Sequence, residues 1–412
     1  MDVTTIESPL RHGPLVLRNR IAKSAMSERL ASRDGAPTDA HVKLYEAWSR
    51  GGSGLLITGN VMVDAHAVAE TGNVVVQNGR HHGALAAWAR ATRSGGAAAW
   101  AQINHPGRQA PRFLNREAVA PSAVPLRGIT GAVFGRPRAL AAIEIERIVE
   151  RFAVAASVLV DAGFDGIQIH AAHGYLINQF LSPLTNQRDD AWGGDADRRM
   201  RFLMEVVRSV RSAIGREVPL GVKLNSADFQ RGGFTEEESM RVVAALEAEG
   251  IELLEISGGT YESAAMFDEA PRASTKTREA FFLGYAEKVR KETKLPLLVT
   301  GGFRSRAGMD AALESGAVDL IGLARPLANE PDLPARLFDR TAAAARHVRL
   351  TTGMRAIDSV IQGGYHQAQI RRLSEGLLPN ADLSRVEAVV HYVAPRWSMT
   401  PTAQAVFRRS FA

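Results

Sequence analysis

The strongest constraint on the fold is a repeated alternation. Short apolar runs give way to longer amphipathic segments, over and over, from the N-terminus to about residue 340. The runs are Ile21–Met26, Gly54–Gly59, Ala97–Ile103, Gly166–His170, Leu220–Asn225, Leu253–Ser257, Leu297–Thr300 and Leu320–Leu323. Segments such as Glu144–Ala162, Arg198–Ile214, Glu236–Gly250 and Ser305–Ser315 carry the 3.6-residue rhythm of one-sided helices. Thr235 ahead of Glu236, Glu237 and Glu238 predicts a capped helix start, with acid at the positive end of the dipole. Eight such units over roughly 320 residues predict a closed TIM-type (β/α)₈ barrel; a doubly wound sheet is the alternative.

Other segments fit around that frame. Pro9–Leu17, split by His12 and Gly13, reads as a hairpin closing the barrel floor. The stretch from His105 to about Leu140 is rich in Pro, Gly and Arg and too long for a simple connection. Such a loop is usually a functional lid or disordered, and this one leaves the mouth of strand three. The rhythm stops near residue 345, dividing the chain into a barrel, 1–345, and a C-terminal helical extension, 346–412. Within the extension Thr352–Gly376 reads as helical, and the weakly patterned residues from Pro395 as a mobile tail or a docking arm.

Composition removes several classes of function. The 412 residues are 45% hydrophobic and 23% charged, ordinary for a globular protein. No apolar run nears the ~18–20 residues of a membrane span. The opening MDVTTIESPLRHG lacks the apolar core of a signal peptide, so a cytoplasmic location is expected. There is no cysteine, which excludes disulfides, thiolate metal sites and a cysteine nucleophile. The net charge of +6 comes from basic residues scattered among acidic ones. That pattern suits anionic ligands and gives no nucleic-acid surface.

The segment from Gly163 to Gly194 carries the chemistry. Its strand ends on His170, and His173 and Tyr175 follow at once. Three hydrogen-bonding groups therefore crowd the C-terminal mouth of one strand, where parallel α/β folds build their sites. They could polarise a carbonyl and supply a proton. They could equally be two ligands of a metal whose third ligand the sequence does not identify, or satisfied histidines at a corner with Tyr175 only packing.

The other strand ends supply Ser24, Ala25, Met26 and Ser27, then Asn60, Gln102 with Asn104 and His105, Lys223 with Asn225, and Ser257-Gly258-Gly259-Thr260. Most are amide, hydroxyl or ammonium groups, able to grip the edge of a flat heteroaromatic ring. Strands seven and eight run into Gly301-Gly302-Phe303-Arg304 and Ala324-Arg325. Glycine lets backbone N–H groups approach an anion, and a phosphate site after strands seven and eight recurs in barrels. A phosphorylated ring cofactor, FMN above all, satisfies both halves.

The run from His170 through Gly194, HAAHGYLINQFLSPLTNQRDDAWGG, resembles the signature of the Old Yellow Enzyme family of FMN-dependent ene-reductases. The likeness extends from Leu15 to Leu327, over most of the barrel. It implies non-covalent FMN surrounded by Ser24, Ala25, Met26, Ser27, Asn60, Gln102, Lys223, Gly301, Gly302, Ala324 and Arg325, and no metal. It further implies NADH or NADPH as reductant, His170 and His173 on the substrate carbonyl, Tyr175 as proton donor, and an activated alkene as substrate. Ser27 would lie by the flavin C4 carbonyl, Gln102 on the pyrimidine edge and Lys223 by N1 and the C2 carbonyl. Three positions depart from common members: Lys223 replaces arginine, Ser27 replaces threonine or cysteine, and Asn104 replaces tryptophan. A barrel dehydrogenase or demethylase acting on an amine is the enzyme alternative; an FMN-free phosphate-binding barrel and a metal hydrolase are the others. A homo-oligomer in which the extension completes a neighbour's pocket is compatible with the sequence.

Overall fold

The computed structural model describes residues 3–259, 279–348, 350, 352–353 and 355–393. Thr260 and the tail from Pro395 lie outside the described residues. Eight parallel strands form the centre: β1 Ile21–Lys23, β2 Leu55–Met62, β3 Ala98–Asn104, β4 Gly166–Ala171, β5 Leu220–Asn225, β6 Leu253–Ser257, β7 Leu297–Thr300 and β8 Leu320–Leu323. Each pairs with its neighbours in sequence, and β8 returns to β1 through Leu323 and Lys23. β1 also pairs with β2, so the sheet closes. The fold is the expected (β/α)₈ barrel, not the doubly wound alternative.

β1 and β2 differ from the expected bounds for physical reasons. β1 stops at Lys23 because the chain then turns in, Ser24 N–H reaching the carbonyl of Leu323. β2 continues to Met62 across an irregularity between Ile57 and Asn60. The helices behind the strands bury one face each. Ala142–Asp161 buries Ile145, Ile148, Val149, Phe152 and Leu159, worth about 1.5–3 kcal/mol for each large side chain. The helix Glu236–Ala248 starts as expected: Glu238 N–H donates to Thr235 Oγ1 at 3.2 Å, and Thr235 N–H to Glu238 Oε2 at 3.0 Å.

Inside the barrel the lower layers are apolar. Ile57, Leu55, Trp100, Leu253, Leu298 and Leu320 pack on Leu10, Leu15 and Leu17 of the floor hairpin, whose strands are Leu10–His12 and Leu15–Leu17. Trp100 fills so much of this space that a Cβ at Gly166 would lie 2.4 Å from its indole. Higher up, Gln102, Gln168, Glu255, Lys223 and Thr300 replace these hydrocarbons. The interior thus changes from dry packing to buried polar groups toward the C-terminal mouth.

The loop after β3 carries secondary structure of its own. Val119–Ala120 pairs with Arg138–Ala139, and Gly128–Phe134 forms a short helix between them. The extension forms two helices, Arg355–Ser374 and Arg385–Val393. Ile370 and Leu373 join the main core, while Ile361, Tyr365, Ala368, Leu383 and Ala388 make a satellite core. Among the described residues no helix is long and apolar enough to cross a membrane.

Candidate active site

β4 ends beneath the expected trio and brings it together. The ring centroids of His170 and His173 are 4.9 Å apart, as are those of His170 and Tyr175, both pairs edge to face. His170 and Tyr175 are buried, and His173 is partly buried. Burial, reinforced by the charge of Lys223, holds both imidazoles well below the usual histidine range, so they are neutral at pH 7. His170 Nδ1 accepts the N–H of Ala172 at 3.2 Å. A neutral ring has one proton, which must then sit on Nε2. His170 is therefore a donor at Nε2.

His173 is held from every side. Its φ of 62° lies in the left-handed region, unusual for a branched-off side chain without glycine's freedom. Its N–H donates to Asn225 Oδ1 at 3.2 Å, its carbonyl accepts from Gln109 Nε2 at 3.1 Å, and Nε2 lies 2.7 Å from Ser257 Oγ. Strain of this kind costs of order 1–3 kcal/mol and persists only where surrounding contacts enforce it. Tyr175 packs with Met62 and Ala69. Asn60 Nδ2 donates to its hydroxyl at 3.3 Å, and Asn104 Nδ2 donates to Asn60 Oδ1 at 3.3 Å. Along this row each amide donates toward the phenol. Asn104 Oδ1 is buried with no hydrogen-bond partner among the described residues.

The expected cofactor groups occupy two neighbouring regions. Lys223 lies next to His170 in register and 3.0 Å from Glu255. Gln102 Nε2 donates to Gln168 Oε1 at 2.7 Å. Ser24 Oγ is 2.6 Å from Thr300 Oγ1, and Ala25 packs against the inner apolar cluster. Met26 packs on the outer core. Ser27 Oγ donates to Glu70 Oε1 at 2.8 Å, so it turns a lone pair rather than its proton to any other group. Gly301 and Gly302 have φ of 115° and 100°, and a Cβ at Gly302 would lie 2.0 Å from the carbonyl of Glu279. Ala324 caps a short helix that begins with Arg325.

Several groups at the site gave no motif in the sequence. Arg325 shares a polar cleft with Arg304 and, from the extension, Arg346, His347 and His366. His366 Nδ1 is buried there with no hydrogen-bond partner among the described residues, and burial with the charges of Arg325 and Arg304 pushes its pKa down to about 3. An anion would reverse that field. Lys23 is fully buried behind β1, bonded to the carbonyl of Ile57 at 2.6 Å and to Tyr45 OH at 3.1 Å. Desolvation lowers its pKa to about 8. Its partner Glu28 also accepts from Gly59 N–H at 2.8 Å, pinning the loop that carries Ser24 to Ser27.

The polar half of the β4 signature is scaffolding. Gln179 bonds Pro106 and Gly174 carbonyls at 3.0 and 2.7 Å, and Asn186 bonds Phe180 and Trp192 carbonyls at 2.9 and 2.8 Å. Arg188 Nη1 reaches the carbonyls of Pro121 and Leu140 at 2.9 and 2.6 Å, tying down both ends of the loop after β3. Among the described residues no group of three His, Asp or Glu side chains is arranged to hold a metal ion.

The donor set suits FMN. An amide and an ammonium match a pyrimidine edge, and a guanidinium cleft matches a phosphate. His366 Nδ1, with no hydrogen-bond partner among the described residues, lies in that guanidinium cleft. A barrel of this form with these groups at its mouth defines an FMN-dependent oxidoreductase. The sequence profile of the NADH:flavin oxidoreductase / NADH oxidase family matches residues 6–342, and the chain belongs to that family, the Old Yellow Enzyme family. FMN is its cofactor and NADH or NADPH its reductant. The NADH-dependent flavin oxidoreductase nadA of Aspergillus parasiticus is 40% identical over 329 residues, covering 76% of this chain and 74% of that one. An old yellow enzyme homologue from Zymomonas mobilis superposes with a TM-score of 0.71 at 27% identity, covering 84% of this chain and 95% of that one. Morphinone reductase gives the same TM-score at 25% identity, covering 84% of this chain and 92% of that one.

Proposed function

We propose that this enzyme reduces the carbon–carbon double bond of an α,β-unsaturated carbonyl compound or a related activated alkene. FMN, when bound, would supply the hydride chemistry that links NAD(P)H to the alkene β-carbon. The protein's part is to hold the ring, polarise the substrate and give one proton. Lys223 and Gln102 hold the pyrimidine edge, with Ser24, Ala25, Met26, Ser27 and Asn60 around the ring. Gly301, Gly302, Ala324 and Arg325 take the phosphate, helped by Arg346 and His366 of the extension. In this reading residues 1–345 form the catalytic barrel and 346–412 an extension that closes its phosphate side.

The observation that carries this reading is the neutral, edge-to-face trio His170, His173 and Tyr175 beside Lys223. His170 Nε2–H donates to the substrate carbonyl oxygen. His173 does so from Nδ1–H, with Ser257 donating to Nε2. Two neutral donors stabilise oxygen charge as it grows without quenching it beforehand. Tyr175, its hydroxyl already accepting from Asn60, gives its proton to the α-carbon. The test is reduction of 2-cyclohexenone by enzyme and NAD(P)H in deuterated water. Cyclohexanone with solvent deuterium at the α-carbon and none at the β-carbon is expected. Absence of turnover, together with oxidation of a tertiary amine, sinks the proposal.

A further inference from the structure

We propose that Glu255 is a positioning residue that fixes which way Gln102 faces the flavin and how much of the Lys223 charge the flavin feels. The proposal rests on FMN lying against Gln102 and Lys223 as read above. Glu255 sits in the middle of β6 with no solvent exposure. It accepts from Lys223 Nζ at 3.0 Å, from Gln168 Nε2 at 2.8 Å and from Thr300 Oγ1 at 2.7 Å.

An ionised carboxylate accepts hydrogen bonds and donates none, which sets every direction downstream. Gln168 must turn its amide nitrogen to Glu255 and its carbonyl to Gln102. Gln102 must then give one N–H to Gln168, at 2.7 Å. Its own carbonyl is left as an acceptor for a ring N–H, and its second N–H as a donor to an adjacent ring carbonyl. This is the order of groups along a flavin pyrimidine edge. On the other arm Thr300 gives its only proton to Glu255, so Ser24, 2.6 Å away, donates to Thr300. One carboxylate orients residues of β3, β4, β5 and β7, and Ser24 just after β1.

The same carboxylate balances charge. Hydride from NAD(P)H brings two electrons and one proton, so the ring gains one negative charge unless a second proton follows. Lys223 attracts that charge, and Glu255 offsets the attraction. The fully buried Lys23 behind β1 also feels Glu255, though less than its own partner Glu28. Glu255 therefore keeps the flavin a stronger reductant than an unpaired Lys223 would leave it.

The experiment compares the FMN-loaded wild type with Glu255→Gln, Gln168→Leu and Lys223→Met. Two values are read for each: the two-electron midpoint potential, by dye-coupled reduction, and the FMN dissociation constant, by fluorescence. Glu255→Gln is expected to move the reduction equilibrium at least tenfold toward reduced flavin, about 30 mV upward. Gln168→Leu keeps the ion pair and loses the relay, so FMN binding is expected to weaken about tenfold at nearly unchanged potential. Lys223→Met is expected to lower the potential. An FMN-loaded Glu255→Gln with an unchanged or lower potential overturns the proposal when Lys223→Met behaves as expected. If neither variant moves the potential, the placement of FMN over Lys223 is itself wrong. Should Glu255→Gln fail to fold, Gln168→Leu decides: unchanged FMN affinity removes the relay.

Discussion

Replacing Tyr175 by Phe removes one oxygen and leaves the ring where it is. The ring is 4% exposed and packed on Met62 and Ala69, so the phenylalanine keeps that burial. What disappears is the hydroxyl with its hydrogen bonds, among them the one from Asn60 at 3.3 Å, a neutral contact worth about 0.5–1.5 kcal/mol, and the proton given to the α-carbon. Folding stability should fall by about 0.5–1.5 kcal/mol for each neutral hydrogen bond the hydroxyl makes. Loss of a general acid typically slows a step ~10²–10⁴-fold, about 3–5 kcal/mol in barrier. Hydride transfer from NAD(P)H to FMN needs no proton from this position. Stopped-flow absorbance separates the two half-reactions. The expected result is an unchanged rate of flavin reduction and a 10²–10⁴-fold slower reoxidation by an enone. Equal slowing of both halves would make Tyr175 a packing residue, and no slowing of either would remove it from the mechanism.

Acid should destabilise the protein through its neutral buried histidines. His41 and His105 have pKa values lowered to about 3 by burial. Unfolding lets them take up protons below about pH 6.5, so stability is full above that value and falls as pH drops toward 3. At pH 5 each contributes a loss of about 2 kcal/mol. A melting temperature constant between pH 7 and pH 5 contradicts this. In the same way His170 and His173, both held neutral, should leave the rate of flavin reoxidation flat between pH 6 and 8. A fall with an apparent pKa near 6.5 would show that one of them titrates. Trp100→Ala should cost about 3–5 kcal/mol of stability by opening the barrel floor, without weakening FMN binding. His366→Ala should weaken FMN and spare riboflavin, which lacks the phosphate; equal loss for both places His366 away from the phosphate.

The eight strands were legible because helices cover the outside of this sheet and side chains fill its inside. Strands buried on both faces read as continuous apolar runs. The floor hairpin showed through its His12-Gly13 break, and the trio through its compact spacing after β4. The groups beneath the trio were missed, although a signal was present. Glu255 interrupts Leu-Leu-Glu-Ile-Ser and Gln168 interrupts Gly-Ile-Gln-Ile-His, single polar residues inside buried strands. Such groups need buried partners. Which partners they have depends on the closing of the barrel, as does the grip of Arg188 on the loop after β3. His366 had no signal at all, since a histidine on a helix says nothing of the cleft it faces.

The central claim is that the imidazole pair opens onto the flavin face, and a phenol tests it most directly. Its anion should be held by His170 and His173 and lie over the ring, so titrating it into oxidised, FMN-loaded enzyme should perturb the flavin absorbance. His170→Ala and His173→Ala should each weaken that titration at least tenfold, the loss of one such hydrogen bond to a charged group. A phenol that binds without altering the flavin spectrum, or binds equally well to both variants, contradicts the account.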